Sequence, residues 1–313
     1  MINNRVILIS TLILFMQSCQ QNATTKDCQQ KVLDISSSIL HDFKYPHIPS
    51  IIVAPKDRIN YLLLHYWDCM DLSGYGLESN MSVIENGFIN YISLIKKNSI
   101  DEDVIYSSFK NLNARLLEYD SAIKMYSLAE KYLYLPDNPY SDEKLYTIFL
   151  KSFIDINSTI PELTDEALFN YNLIRQNSPG CKANDLNLLS YSGKEYYLNR
   201  LEVETDYILL ILYDPDCTGC RKLFEIMTNS YKLNYLIGQH EVTVIAICVG
   251  SNIDIWKKNQ KNIPYKWKSF FSKSDIIANS LYDIRALPSL YLLTKERNVI
   301  LKDTSFDIII QQF

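Results

Sequence analysis

The chain has 313 residues, 47% of them hydrophobic, which is enough to build two cores. Its formal net charge is -5 and no basic stripe runs through it, which argues against nucleic acid as a partner. With 8 Gly against 23 Tyr it reads as a helical, aromatic-rich chain rather than a Gly-rich all-β one.

The first nineteen residues read MINNRVILISTLILFMQSC. Arg5 gives a short positive start and Val6 to Met16 an apolar run. Spanning a bilayer takes about 20 apolar residues, so this run fits a secretory signal peptide over 1–18. The cut-site residues MQSC resemble a bacterial lipobox, with Met16 in place of the usual Leu. On that reading Cys19 becomes the lipidated first residue. A plain signal peptide or a buried apolar helix is the competing reading. The polar residues QQNATTKDCQQ follow directly, and 19–30 read as a tether. QQNAT carries no acidic run of the kind that suggests surface export, so the expected location is the periplasmic side of the outer membrane.

From 31 to 178 the pattern is helical. Asp57 to Met70, after Pro55, and Ser82 to Lys97 carry apolar residues at helical spacing. Ser99 to Glu102 reads as a capping box for the next helix. A long helical run from Arg115 to Tyr134 is stopped by LPDNP, and Ser141 and Thr164 are expected N-caps of two more helices. Asn177 to Gly180 is turn chemistry and marks a domain boundary.

Over 179–313 the pattern changes. Leu186 to Ser190 and Tyr196 to Asn199 flank a turn and read as a hairpin. Asp206 to Asp214 and Glu241 to Val249 are continuous apolar runs, as in strands buried on both faces. Between them lie CTGC and one amphipathic helix, RKLFEIMTNSYKLNYL. Ser274 to Ile284 is expected as a short helix, and Ser289 to Thr294 with Val299 to Asp303 as a second hairpin. This order gives an α/β domain with right-handed crossovers, preceded by an all-α domain.

The chemistry is carried by Cys217 and Cys220 in YDPDCTGCRKL. Cys217 ends a buried strand and Cys220 falls in the first turn of the following helix. A helix N-terminus stabilises a thiolate, so Cys217 is expected to ionise readily and attack, with Cys220 resolving. Arg221 and Lys222 add positive charge, while Asp214 and Asp216 oppose it. Zinc needs about four ligands, and neither a second CxxC nor a His pair accompanies this one; His240 stands alone. Haem attachment needs CxxCH, and position 221 is Arg. A peroxidatic cysteine would want a hydroxyl where Asp214 stands. A purely structural disulfide is not removed by these arguments. The second motif, LYDIRALPSLYLL, puts Pro288 directly before a buried strand, where an X-Pro bond can be cis. A cis-Pro loop facing the CxxC would leave the Leu287 backbone free to pair with an extended substrate.

YDPDCTGCRKL followed by YDIRALPSLYLL is similar to the thioredoxin superfamily. PGCKANDLNLLSYSGKEYYLNRL (Pro179 to Leu201) resembles the N-terminal hairpin of thiol–disulfide oxidoreductases of the TlpA/ResA type. The resemblance spans about residues 179–313. It implies Cys217 as nucleophile, Cys220 as resolving cysteine, Leu287 and Pro288 as the substrate-binding cis-proline loop, protein disulfides as substrates, and no soluble cofactor. Electrons would come from a membrane partner protein. Asp216 departs from the Trp that often precedes the first cysteine, and Ile211 from the buried Asp of thioredoxins proper. Ile48 to Leu72 resembles the helical domain of unknown function that precedes such domains in Bacteroidetes lipoproteins. Reductase or isomerase action is favoured over oxidase action. The rival from another class is a lipoprotein binding module with the thioredoxin fold as scaffold. Cys69 and Cys248 read as inert core thiols, Cys28 and Cys181 as unassigned thiols, and His65 as a packed histidine. Trp256 and Trp267 read as aromatic anchors beneath a lysine-rich solvated face.

Overall fold

The computed structural model describes residues 43–156 and 160–313. The leader, Cys19, the tether and Cys28 lie outside the described residues.

The first half is built from α1 (Pro55–Leu64), α2 (Gly74–Ser79), α3 (Met81–Lys97), α4 (Glu102–Asn113), α5 (Tyr119–Ala129), α6 (Glu143–Ile156) and α7 (Pro161–Ile174). Pro55 and Pro161 sit in the first turns of α1 and α7, where a missing N–H costs nothing. The core is aromatic. Phe149, fully buried, meets Phe109 edge-on at 5.5 Å and Phe153 at 5.9 Å, while Tyr91 joins Tyr66 at 5.0 Å and Phe109 at 5.6 Å. Rings of this kind bury large areas and favour edge-to-face packing. Two polar groups within this core are satisfied: Tyr66 OH donates to Gly87 O at 3.0 Å and Ser108 Oγ to Leu63 O at 2.6 Å.

Several boundaries differ from the sequence reading. The first helix ends at Leu64, and His65 to Cys69 form turns, which leaves Cys69 exposed rather than in the core. His65 is satisfied by Asp68, with Nδ1 2.7 Å from its carboxylate. No capping box opens α4; its N-cap is Asp101, with no side-chain cap bond. Instead Glu118 and Ser121 form a capping box that opens α5 four residues after Ala114. The run that follows ends in a π-turn, Glu130–Tyr134. Asp142, not Ser141, caps α6, its carboxylate accepting from Leu145 N at 3.0 Å. Thr164 lies inside α7, because Pro161 starts that helix earlier.

The second half is a seven-stranded sheet in the order β2-β1-β5-β4-β3-β6-β7. Its strands are β1 (Asn187–Leu189), β2 (Glu195–Tyr197), β3 (Tyr207–Tyr213), β4 (Val242–Cys248), β5 (Lys268–Ser272), β6 (Ser289–Thr294) and β7 (Val299–Leu301). β3, β4 and β5 run parallel, and β6 pairs antiparallel on the other side of β3. Alternation along β3 sends Leu209, Ile211 and Tyr213 to one face and Ile208, Leu210 and Leu212 to the other. Both outer strands, β2 and β7, are three residues long.

The helices of this half are α8 (Thr218–Asn229), α9 (Tyr231–Gly238), α10 (Ile253–Asn259) and α11 (Phe306–Ile310). The amphipathic run after CTGC is two helices, not one. Ser230 adopts an extended conformation and its side chain caps α9 through Leu233 N at 3.3 Å. Ser274 to Ile284 forms turns rather than a helix: Asp275 closes one turn onto Ala278 N, and Ser280 takes a positive φ of 50°. Trp256 and Trp267 are buried.

Phe149→Ala leaves a cavity inside the ring cluster of the first half. It is expected to lower stability by about 3–5 kcal/mol in urea unfolding, the usual cost of truncating a buried Phe.

Candidate functional site

Strand β3 is fully buried from Ile208 to Tyr213, so its side chains can only pack. Chemistry becomes available where the strand ends, at the carboxyl edge of the parallel sheet. Asp214 accepts there from the amide of Asp216 at 2.8 Å through Oδ1, and its carbonyl accepts from Cys217 N at 3.1 Å. These two bonds turn the chain from strand into helix and leave Cys217 as the N-cap of α8.

The Cys217 sulfur accepts from the Cys220 amide at 3.1 Å. It therefore fills the cap position that usually goes to a Ser or Asp oxygen, and a charged sulfur there meets the positive end of the helix dipole. Cys217 is half-buried and Cys220 is 1% exposed. The Cys220 thiol is pushed up to about 12, by burial first, then by the neighbouring Cys217 sulfur, with the Asp214 backbone opposing and its carboxylate adding a smaller push. The Arg221 guanidinium folds back over the loop, donating to Pro215 O at 3.0 Å and Thr218 Oγ1 at 3.1 Å.

The cis-proline loop meets this sulfur from the other side. The Leu287–Pro288 bond is cis, and Cys217 Sγ donates to Leu287 O at 3.4 Å. A Cβ added at Gly219 would come within contact range of the Leu287 carbonyl and the Pro288 ring. Leu287 and Pro288 are half-buried. Four residues singled out in the sequence, Cys217, Cys220, Leu287 and Pro288, thus come together although they lie about 70 positions apart.

Two neighbours escaped the sequence reading. Gly250 follows β4, and a Cβ there would collide with the Asp214 carboxylate, so this glycine makes room for the acid. A cavity of about 20 Å³ is lined by Asp214, Pro215, Cys220 and Ile263 among others, room for about one water beside the Cys220 thiol. Cys248 ends β4 opposite Tyr213 in register and is fully buried. Its thiol is pushed up to about 12 by burial, with Asp214 and Asp216 adding to the shift and the Gly250 amide opposing it. One of only 8 glycines, placed just after an apolar strand, was the available signal for the first. Ile211 is fully buried and packs in the sheet core, away from any acid-base role. Among the described residues no group of three or more His, Cys, Asp or Glu could hold a metal ion, and no helix is long and apolar enough to cross a membrane.

After reduction at pH 8, iodoacetamide is expected to label Cys217, Cys69 and Cys181 in the native protein and to spare Cys220 and Cys248. Both spared thiols are buried, and that burial pushes each of them up and away from the thiolate form. Peptide mapping before and after denaturation reads this directly. Asp214→Asn removes a negative charge beside Cys220, so its thiolate should form at lower pH than in the parent, as followed by absorbance at 240 nm.

Residues 18–177 match the family described as a domain of unknown function (DUF5106). No curated protein matches. A crystal structure of a thioredoxin-like protein from Bacteroides caccae is similar over 86% of this chain and 97% of its own, at 26% identity and a TM-score of 0.73. The C-terminal domain of an uncharacterized protein from Bacteroides fragilis is 31% identical over 44% of this chain and 96% of its own, with a TM-score of 0.42. The thioredoxin domain of a thiol-disulfide oxidoreductase from Bacteroides vulgatus is 19% identical over 43% of this chain and 94% of its own, with a TM-score of 0.37. The chain belongs to the DUF5106 family, and its DUF5106 region precedes a thioredoxin-like fold.

Proposed function

We propose that the protein is an exported thiol–disulfide oxidoreductase, lipid-anchored through Cys19 on the periplasmic face of the outer membrane, that reduces or isomerises disulfides in proteins. The observation that supports it most is the Cys217 sulfur capping a helix through the Cys220 amide while facing the cis Leu287–Pro288 bond.

The reaction needs no group beyond the chain and its substrate. The Cys217 thiolate attacks one sulfur of the substrate disulfide, forming a mixed disulfide and expelling the other sulfur as a thiolate that takes up a proton. Cys220 loses its proton and attacks Cys217 Sγ. The second substrate thiolate leaves and is protonated. Two electrons have moved to the substrate, and the 217–220 disulfide has formed. An oxidising compartment keeps such a pair in need of electrons, and a membrane donor protein of dithiol chemistry is the proposed source. The Leu287 backbone would pair with an extended substrate segment and hold its disulfide against Cys217.

Protein comprising residues 20–313 should reduce insulin disulfides with dithiothreitol as electron source. Cys217→Ser should fall to background, and Cys220→Ser should accumulate a mixed disulfide visible on non-reducing gels. A wild-type protein that does not reduce insulin, and whose Cys217 alkylates no faster than Cys69, would support the scaffold reading instead.

A further inference from the structure

The helical half has no assigned role. Hydrogen bonds and ion pairs from it reach the segment that carries the cis-proline. Asp283 and Arg285 precede Leu287, and Ser289 follows Pro288. All three are held by charges or hydroxyls that arrive from elsewhere.

From the helical half, Tyr134 OH donates to Asp283 Oδ1 at 2.5 Å, its carbonyl accepts from Arg285 Nη1 at 3.5 Å, and its ring lies 5.3 Å beneath the guanidinium. Glu143, at the start of α6, accepts from Arg285 Nη2 at 3.2 Å and from Lys302 Nζ at 2.9 Å. Lys302 also donates to the carbonyl of Ile174 at the end of α7. From the sheet side, Asp303 accepts from Arg285 Nη2 at 2.8 Å with one oxygen and from Ser289 Oγ at 2.7 Å with the other. Asp303 takes a positive φ of 42°, a conformation a non-glycine residue keeps only when its surroundings demand it. One carboxylate therefore pins the loop both before and after the proline.

The side chains are withdrawn from water. Asp283 is 1% exposed, Lys302 3% and Arg285 9%. Burial would favour a neutral Arg285, but Asp303, Asp283 and Glu143 outweigh it and hold the guanidinium charged more firmly than usual. Buried charges of this kind fix geometry rather than add much stability, because their desolvation cancels most of their attraction. The planar guanidinium donates to both Asp303 and Glu143 through Nη2 and to the Tyr134 carbonyl through Nη1, a fixed arrangement that a lysine's single ammonium does not reproduce.

We propose that Arg285 is a positioning residue through which Tyr134 and Glu143 of the helical half hold the cis-proline loop against Cys217. The helical half is then a brace for the substrate-pairing backbone. This rests on the proposed oxidoreductase function. It predicts a split between substrates: a small disulfide needs only the Cys217 sulfur, whereas an extended peptide disulfide also needs Leu287 in place.

The test uses residues 20–313 with Glu143→Gln and Tyr134→Phe, and Arg285→Lys as a third variant that keeps the charge but loses the fork. Each is assayed on a peptide disulfide and on 5,5′-dithiobis(2-nitrobenzoic acid), with Tm recorded alongside. The expected result is a fall of about tenfold in peptide kcat/KM with the small-disulfide rate unchanged, since misplacement by an ångström costs up to about 10²-fold. Leu77→Ala, which perturbs the helical core at α2 and is fully buried there, should lower Tm without changing the ratio of the two rates. Equal losses on both substrates, or no loss on either, would overturn the brace while leaving the oxidoreductase function intact. A wild-type protein inactive on both substrates removes the function itself and the brace with it.

Discussion

A strand buried on both faces has no side chain to spare for chemistry, and it must deliver its chain somewhere useful when it ends. β3 sets that constraint here. Parallel pairing with β4 and antiparallel pairing with β6 leave it neither edge nor exposed face. The chain emerges at the carboxyl end, Asp214 turns it, and the first free helix amides are met by a sulfur. Because β6 is locked beside β3 in register, the residue before β6 must arrive at that same end, which brings Pro288 opposite Cys217. The placement of the site is thus a property of sheet topology more than of the site's own contacts.

The two thiols of the pair receive opposite treatment from one turn of helix. Cys217 is at the water boundary with an amide aimed at it. Cys220 faces inward, where burial, a neighbouring sulfur and the Asp214 carboxylate all discourage charge. A capping, half-buried sulfur and a buried one are separated by three residues of sequence. The acid that thioredoxins proper place within the sheet has no counterpart at Ile211; Asp214, at the strand's end beside Gly250, is the carboxylate that bears on Cys220.

Much of this was legible in the sequence because it is written in local patterns. Continuous apolar runs announced β3 and β4, a proline before an apolar run announced the start of β6, and CTGC announced the turn between strand and helix. What escaped depends on partners remote in sequence. β5 has only five residues, KSFFS, and is a strand because β4 and β1 flank it. The single helix expected after CTGC breaks at Ser230, where a cap outcompetes continued amphipathic spacing. The exposure of Cys69 followed from where α1 stopped, which periodicity alone does not fix. The groups around Arg285 come from positions as far apart as 134 and 303, and no spacing rule connects them.

The outer strands carry one more consequence. β2 and β7 each have three residues, which at about 3.3 Å per residue leaves roughly 10 Å of open edge on either side of the sheet. Long open edges invite other chains to add themselves as further strands. Under the proposed function, protein substrates arrive partly unfolded, when they are most prone to do so. Short edges deny them that template, which on the proposed function leaves the backbone beside Cys217 as the place for an incoming chain to pair.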